Sequence, residues 1–304
     1  MADATTPTDG RCGYVALVGA PNAGKSTLMN RLMGTKVSIV THKVQTTRAR
    51  IIGVLTHEDS QIVFVDTPGI FAPRRRLERA MVAAAWGGAA DADVIVLLVD
   101  VSENSLDHAL RIIDGLKEAG RKAVLALNKI DLVKRDVLLG ITEQLTATGV
   151  FTDTFMISAL NGSGVDDLVP HLAAMVPKGP WLYPADHLTD MNDRLFAAEI
   201  TREKLFLRLH QELPYALTVE TEGWEERPDG SVKVDQVIYV ERQSQRSIVL
   251  GKGGQQIKQV GATAREELGE ILGRKVHLFL FVKVRDKWRD DPERYREMGL
   301  DFTD

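Results

Sequence analysis

A single cysteine, Cys12, stands in the 304 residues. That excludes an internal disulfide and fits a reducing compartment. At the head of an apolar run it reads as a small buried hydrophobe. No apolar run approaches the ~20 residues needed to cross a bilayer; the longest obvious one is Val94 to Val99. The start, Met1 to Arg11, lacks the basic head and apolar middle of a signal peptide, and it reads as a loose tail. A cytoplasmic location is the resulting expectation. Charge of one sign is not in excess either: the net charge of −4 gives no global case for nucleic acid. With 44% hydrophobic and 26% charged residues, the composition is that of a folded globular chain. The length suggests about two domains.

What the sequence does contain starts with an apolar strand, Val15 to Val18, and a predicted helix, Thr27 to Leu32. Between them lies Gly19-Ala20-Pro21-Asn22-Ala23-Gly24-Lys25-Ser26. The pattern G-x-x-x-x-G-K-S in that setting is a phosphate loop. Its backbone N–H groups, with the positive end of the helix behind them, make a concave anion site that Thr27 continues. Lys25 would reach the outer phosphates and Ser26 would offer its hydroxyl to Mg²⁺. The chain is expected to bind a nucleoside triphosphate.

No helical or alternating period covers Thr41 to Arg48, so that stretch is expected to be a loop closing over the metal and terminal phosphate. Thr47 is the expected ligand, with Thr46 the alternative. Asp66-Thr67-Pro68-Gly69 stands at the end of the strand Ile62 to Val65, where open α/β sheets place ligands. Asp66 can hold the metal through water, and the Gly69 amide can donate to the terminal phosphate. The next residue is Ile70, where many GTPases carry a glutamine that orients the attacking water. Isoleucine cannot, so hydrolysis is expected to be slow without help. Arg74, Arg75, Arg76 and Arg79 follow; a solvated face is the default reading, and a phosphate or RNA contact is the rival.

Val94 to Asp100 and Ala123 to Leu127 are apolar throughout, and an amphipathic stretch, Leu106 to Ala119, separates them. Such alternation indicates a doubly wound, mostly parallel sheet. At the end of the second run stands Asn128-Lys129-Ile130-Asp131. Asp131 can accept from guanine's ring N–H and exocyclic amine, a pair adenine does not present. Asn128 can bond the other purine edge, and the Lys129 stem can lie over the ring. Further on, Ser158-Ala159-Leu160 offers amides to the guanine carbonyl. In this order and spacing the nucleotide is expected to be GTP.

The remainder has a different pattern. Lys178 to Pro184 reads as part of a linker, Arg194 to Leu213 has helical periodicity, and Ala216 to Glu222 and Val232 to Arg242 alternate like strands. Gly251-Lys252-Gly253-Gly254 interrupts a helix pair and is followed by the strand Val276 to Val284. From Arg242 to Arg289 there are eleven basic and four acidic residues, a local +7. Local charge of that kind is the footprint of phosphate binding.

Taken together, the ordered motifs and the helix–strand–strand–GxxG–helix–strand tail resemble the Era-type bacterial GTPases over nearly the whole chain. The resemblance implies an α/β GTPase domain (12–178), a linker (179–193) and a smaller α+β KH-type RNA-binding domain (194–304), after a tail (1–11). It implies a GTPase that uses Mg²⁺, held by Ser26, Thr47 and Asp66; nothing in the sequence requires more than a monomer, which is the expected state. Lys25, Thr47 and Gly69 are the groups expected to serve hydrolysis. K⁺ at Asn22 is a further implication. So are binding of the 16S rRNA 3′ end, a role in 30S subunit maturation, a link to cell-cycle control and, in some members, peripheral inner-membrane association. Arg246, Gly251, Lys252, Gly253, Gly254, Lys258 and Lys283 are the expected RNA contacts. Ala20 and Ala23 replace the arginine and valine frequent in the phosphate loop, and Phe71 stands where many relatives have histidine. A GTPase whose second domain docks a protein is the alternative. A phosphotransferase lacks a candidate carboxylate–histidine pair, and a tRNA-modifying GTPase lacks the C-terminal cysteine its chemistry needs.

Overall fold

The computed structural model describes residues 10–103 and 105–302, so nearly all of the expected tail, 1–11, lies outside the described residues. The chain forms two compact units. One holds the residues up to Ser38, Thr47–Asp190 and those from Met298 on; the other holds Ile39–Thr46 and Met191–Glu297.

The first unit is built on a six-stranded sheet of order β2-β3-β1-β4-β5-β6. Its strands are β1 (Arg11–Gly19), β2 (Ile51–His57), β3 (Ser60–Asp66), β4 (Val94–Asp100), β5 (Ala123–Asn128) and β6 (Phe151–Ile157). Only β2 runs antiparallel to its neighbour. Every residue of β3, β4 and β5 is buried, because helices cover both faces. On one face α1 (Lys25–Met33) and α5 (Val165–Met175) set Leu28, Met29, Leu168 and Leu172 against Val15 and Leu17 of β1. On the other, α2 (Arg76–Asp91), α3 (Asp107–Glu118) and α4 (Arg135–Thr146) pack Ala85, Ile112, Leu116 and Leu145 around Ala16 and Val18. Since β1 lies between β3 and β4, the loop that leaves it opens at the point where the strand order reverses.

The stretch expected as a linker is firmly attached. The amides of Leu182 and Tyr183 donate to Gln61 Oε1 at 2.9 and 3.0 Å, and Gln61 Nε2 donates to Tyr183 O at 2.7 Å. Val54 N donates to Leu188 O and Thr189 Oγ1 to Ile52 O, so the segment runs along β2 and β3. Gln61 is fully buried and its amide is satisfied by that segment.

The second unit has a three-stranded sheet, β7 (Leu217–Glu226), β8 (Val232–Val240) and β9 (Val276–Val284), with β7/β8 antiparallel and β8/β9 parallel. Three helices supply its core: α6 (Asp193–Arg208), α7 (Gln243–Leu250) and α8 (Gln255–Leu272), through residues such as Leu205, Val249, Val260 and Leu268. A short α9 (Pro292–Glu297) follows. The helix expected to reach Leu213 stops at Arg208, where Leu209 turns extended. Ile39–Thr46 belongs to this unit rather than to the first. Ile39 is 1% exposed among Phe196, Ile200 and Leu268. Val40 N donates to Glu203 Oε1 at 2.9 Å, and the Arg202 guanidinium donates to Thr46 O.

Candidate functional site

The phosphate loop owes its shape to Gly24. Its φ of 97° lies in the left-handed region, and a Cβ there would meet Asn128 Nδ2 at 2.2 Å. Helix α1 starts at the next residue, so the unpaired N–H groups of its first turn face the loop's interior. Lys25 Nζ is buried and donates to the carbonyls of Gly19 (3.2 Å) and Ala20 (3.0 Å). Burial pushes its pKa down to about 8, with the Asp66 charge opposing. A bound phosphate would add further negative charge opposite the ammonium held there. Ala23 is buried, whereas Asn22 is exposed with a left-handed φ of 64°. Pro21 lies against the Gly69 backbone, and Ile70 N donates to Gly19 O at 3.1 Å.

Asp66, at the end of β3, is the centre of the polar cluster. Its Oδ2 accepts from Ser26 Oγ (2.7 Å), Ser38 Oγ (3.0 Å) and Thr47 Oγ1 (3.4 Å), and Ser26 Oγ lies 2.9 Å from Thr47 Oγ1. Its other oxygen, Oδ1, is buried without a hydrogen-bond partner among the described residues. Burial raises the Asp66 pKa against the lowering by Lys25 and the three hydroxyls. An orphaned carboxylate oxygen beside two hydroxyls is the donor set a hard cation takes, so these residues fit Mg²⁺. Among the described residues no cluster of three or more His, Cys, Asp or Glu offers another metal site. Thr46 lies apart: its Oγ1 donates to Lys43 O and pairs with Thr41 Oγ1, in the second unit. Thr67 is also used structurally, its Oγ1 donating to Leu17 O at 2.8 Å beside buried Pro68. Ile70 is 8% exposed in the core around Ala16 and Val18, and so contributes packing rather than chemistry.

The residues expected to recognise the base gather at the ends of β5 and β6. Asn128 is 1% exposed; its Nδ2 donates to Ala23 O at 2.7 Å and its Oδ1 accepts from Ala159 N at 2.9 Å. It therefore ties the phosphate loop to the Ser158–Leu160 loop, and one amide hydrogen is left for a ligand. Ser158 Oγ accepts from Asn161 N, and Leu160 points outward at 72% exposed. Asp131 is exposed, with no hydrogen bond among the described residues. Lys129 has a left-handed φ of 67°, a conformation that costs a non-glycine residue about 1–2 kcal/mol.

Four contributors, in three groups, escaped the motif reading. Ser38 bonds Asp66, and Asn30 Oδ1 holds it there by accepting the amides of Val37 and Ser38 at 2.9 Å each. Arg31 donates to the carbonyls of Ala159 and Leu160. The third, Asp100, pairs with Lys129. None belongs to a short motif, although Asn30 and Arg31 sit one helical turn past Lys25 and Ser26.

In the second unit Gly251, Gly253 and Gly254 have φ of 73°, 61° and 75°, a run of left-handed residues that only a glycine-rich loop sustains. The loop exposes Lys252, and α8 begins just beyond it with Lys258 exposed. Neither lysine has an ion pair among the described residues. Arg246 is committed to Val282 O through Nε at 3.0 Å. Lys283 stands apart from these groups: it pairs with Tyr239 in register, opposite in face to the core residue Val282, and its Nζ donates to both Glu222 oxygens at 3.2 Å. The local +7 is likewise reduced, because Arg274, Arg285 and Arg289 pair with Glu226, Asp291 and Glu241 from outside that stretch.

With this geometry in view, known proteins offer a comparison. Residues 14–129 match the 50S ribosome-binding GTPase family, and residues 212–289 the KH domain family. GTPase Era of Sinorhizobium medicae is 61% identical over 99% of this chain and 96% of its own. GTPase Era of Brucella suis is 60% identical over 98% and 96%. A crystal structure of an Aquifex aeolicus Era variant bound to GDP and AlF₄⁻ superposes with a TM-score of 0.89, at 38% identity over 95% of this chain and 99% of that one. A structure of Era with MgGDPNP and nucleotides 1506–1542 of 16S ribosomal RNA gives a TM-score of 0.90 at 38% identity, with the same coverage. Relatives this similar over nearly the whole of both chains show the family and its GTP-hydrolysing activity, with a KH domain behind the GTPase domain: the chain belongs to the Era family of GTPases.

Proposed function

We propose that the protein is a GTP-controlled switch whose KH domain grips single-stranded RNA at the 3′ end of 16S rRNA, acting in the cytoplasm on the maturing 30S subunit. The observation that carries this reading is the Gly251–Gly254 loop, its three glycines at positive φ, with Lys252 and Lys258 exposed and without an ion pair among the described residues. Glycines there let a nucleic-acid backbone come close, and solvated lysines are available for phosphates. The rRNA-bound Era structure is the source of the specific target.

On the enzymatic side, Ser26, Thr47 and Asp66 would hold Mg²⁺, which when bound neutralises charge that develops on the phosphates. The chain's own groups do the rest. The loop amides orient the phosphates, Lys25 supplies fixed positive charge to their outer oxygens, and the Gly69 amide donates to the terminal one. Asp131 selects guanine. With Ile70 packed in the core, no side chain at that position can orient water, so unassisted turnover is slow. Asn22, exposed with a left-handed backbone in the phosphate loop, is the residue through which K⁺ would add charge.

RNA crosslinking in cells tests the reading. Wild type should yield fragments from the 16S rRNA 3′ end and Lys252→Glu should lose them. Undiminished crosslinking by Lys252→Glu, or recovery of protein partners alone, would favour a protein-docking second domain.

A further inference from the structure

The nucleotide motifs leave one buried carboxylate at the site without a role. Asp100 ends β4, where it pairs in register with Asn128 of β5. It is 8% exposed. Its Oδ1 accepts from Ser102 N (2.9 Å) and Ser102 Oγ (2.5 Å), which fixes the carboxylate's orientation. Its Oδ2 receives the ammonium of Lys129. Asp100 also lines, with Ala20, a cavity of about 10 Å³, room for one water at most. It therefore stands between the phosphate loop and the base-recognition residues.

Lys129 itself is constrained from two directions. Its backbone is held left-handed where the chain leaves β5, with Leu132 N donating to Lys129 O at 3.0 Å. Its far end is tied to Asp100. A lysine stem has four rotatable bonds and would otherwise sample many rotamers, freezing only when a base arrives. Anchored at both ends, it is laid out beforehand, and its charge is matched so that its methylenes present an apolar strip.

We propose that Asp100 is a positioning residue for guanine-nucleotide recognition, holding the Lys129 stem in place to pack on the purine face. The inference rests on the guanine-site reading of Asn128 to Asp131. Asp100 touches no nucleotide; it acts through Lys129. Because a ring face is common to all purines, Asp100 contributes affinity evenly, while Asp131 contributes the choice of base.

The test is a titration of fluorescent GDP and GTP analogues, with inosine nucleotide alongside and hydrolysis followed at saturation. Asp100→Asn should weaken GDP, GTP and inosine nucleotide alike, by about fivefold to tenfold, the usual cost of one unanchored long side chain. The kcat should stay within about twofold, so the defect lies in KM. In a Lys129→Met background, Asp100→Asn should add nothing further. Wild-type affinity in Asp100→Asn would overturn the inference, as would an undiminished effect of Asp100→Asn in the Lys129→Met background. Should Asp100→Asn fail to fold, Lys129→Met alone decides. It keeps the stem but loses the anchor, and nucleotide affinity like wild type would contradict the proposal. Wild type binding ATP as tightly as GTP would instead overturn the guanine-site reading beneath it.

Discussion

The phosphate site and the KH loop both handle phosphate, yet they are built in opposite ways. In the first, the charged groups are buried: Lys25 is 6% exposed and Asp66 fully enclosed, and each is pushed toward its neutral form by that burial. In the second, Lys252 and Lys258 stand in solvent, without ion pairs among the described residues. Buried charges are strong and discriminating once paired, because water does not screen them. Exposed charges are weaker and tolerant, suited to a flexible strand whose exact path varies. One site is organised to bind one ligand class tightly, the other to accept a polymer.

That contrast is sharpened by substitutions that should act unequally. Asp131→Asn removes the acceptor pair for guanine's N–H groups and suits a base with a carbonyl there. The preference for GTP over XTP, measured by competition, should invert with a swing on the order of 10³ to 10⁴. Lys25→Ala removes a buried charge from the phosphate site. The Kd for GTP should rise about a hundredfold or more, read by calorimetry. In the KH loop the effects should be milder: Lys252→Glu should weaken binding of a single-stranded rRNA oligonucleotide about tenfold, leaving GDP affinity unchanged. Ile70→Gln places an amide into the core around Ala16 and Val18. It should lower thermal stability by about 1–3 kcal/mol without raising basal kcat more than twofold. Lys283→Ala should change RNA affinity by less than about twofold, since Glu222 already occupies that lysine on the sheet face away from the core.

Short motifs with fixed backbone roles were legible in advance. The sequence marks Gly19 to Ser26 as a phosphate loop and Gly251 to Gly254 as the break between two helices, and the structure has a loop at both places. The apolar runs of β4 and β5 announce a sheet covered on both faces. Individual side-chain partners were less visible. Asn128 looks like a base contact in sequence, yet its amide is spent largely on Ala23 and Ala159, because a buried amide must satisfy both ends. Lys283 looks like another cation in a basic stretch. Strand pairing places it beside Tyr239 and Glu222, and pairing depends on residues forty or more positions away. Ser38, Asn30 and Asp100 belong to no motif for the same reason: their roles arise where distant segments meet. Thr46 of the expected loop bonds Arg202, and Val40 just before the loop bonds Glu203, pairings that no local pattern could announce.

The most direct test of this division is the salt dependence of rRNA binding. A single-stranded oligonucleotide with the 16S rRNA 3′-end sequence would be titrated with a non-hydrolysable GTP analogue and Mg²⁺ present. Wild type should bind saturably, with the slope of log K against log salt reduced by about 1 in Lys252→Glu and unchanged in Lys283→Ala. Equal slopes in wild type and Lys252→Glu, or no binding of the oligonucleotide at all, would contradict the account.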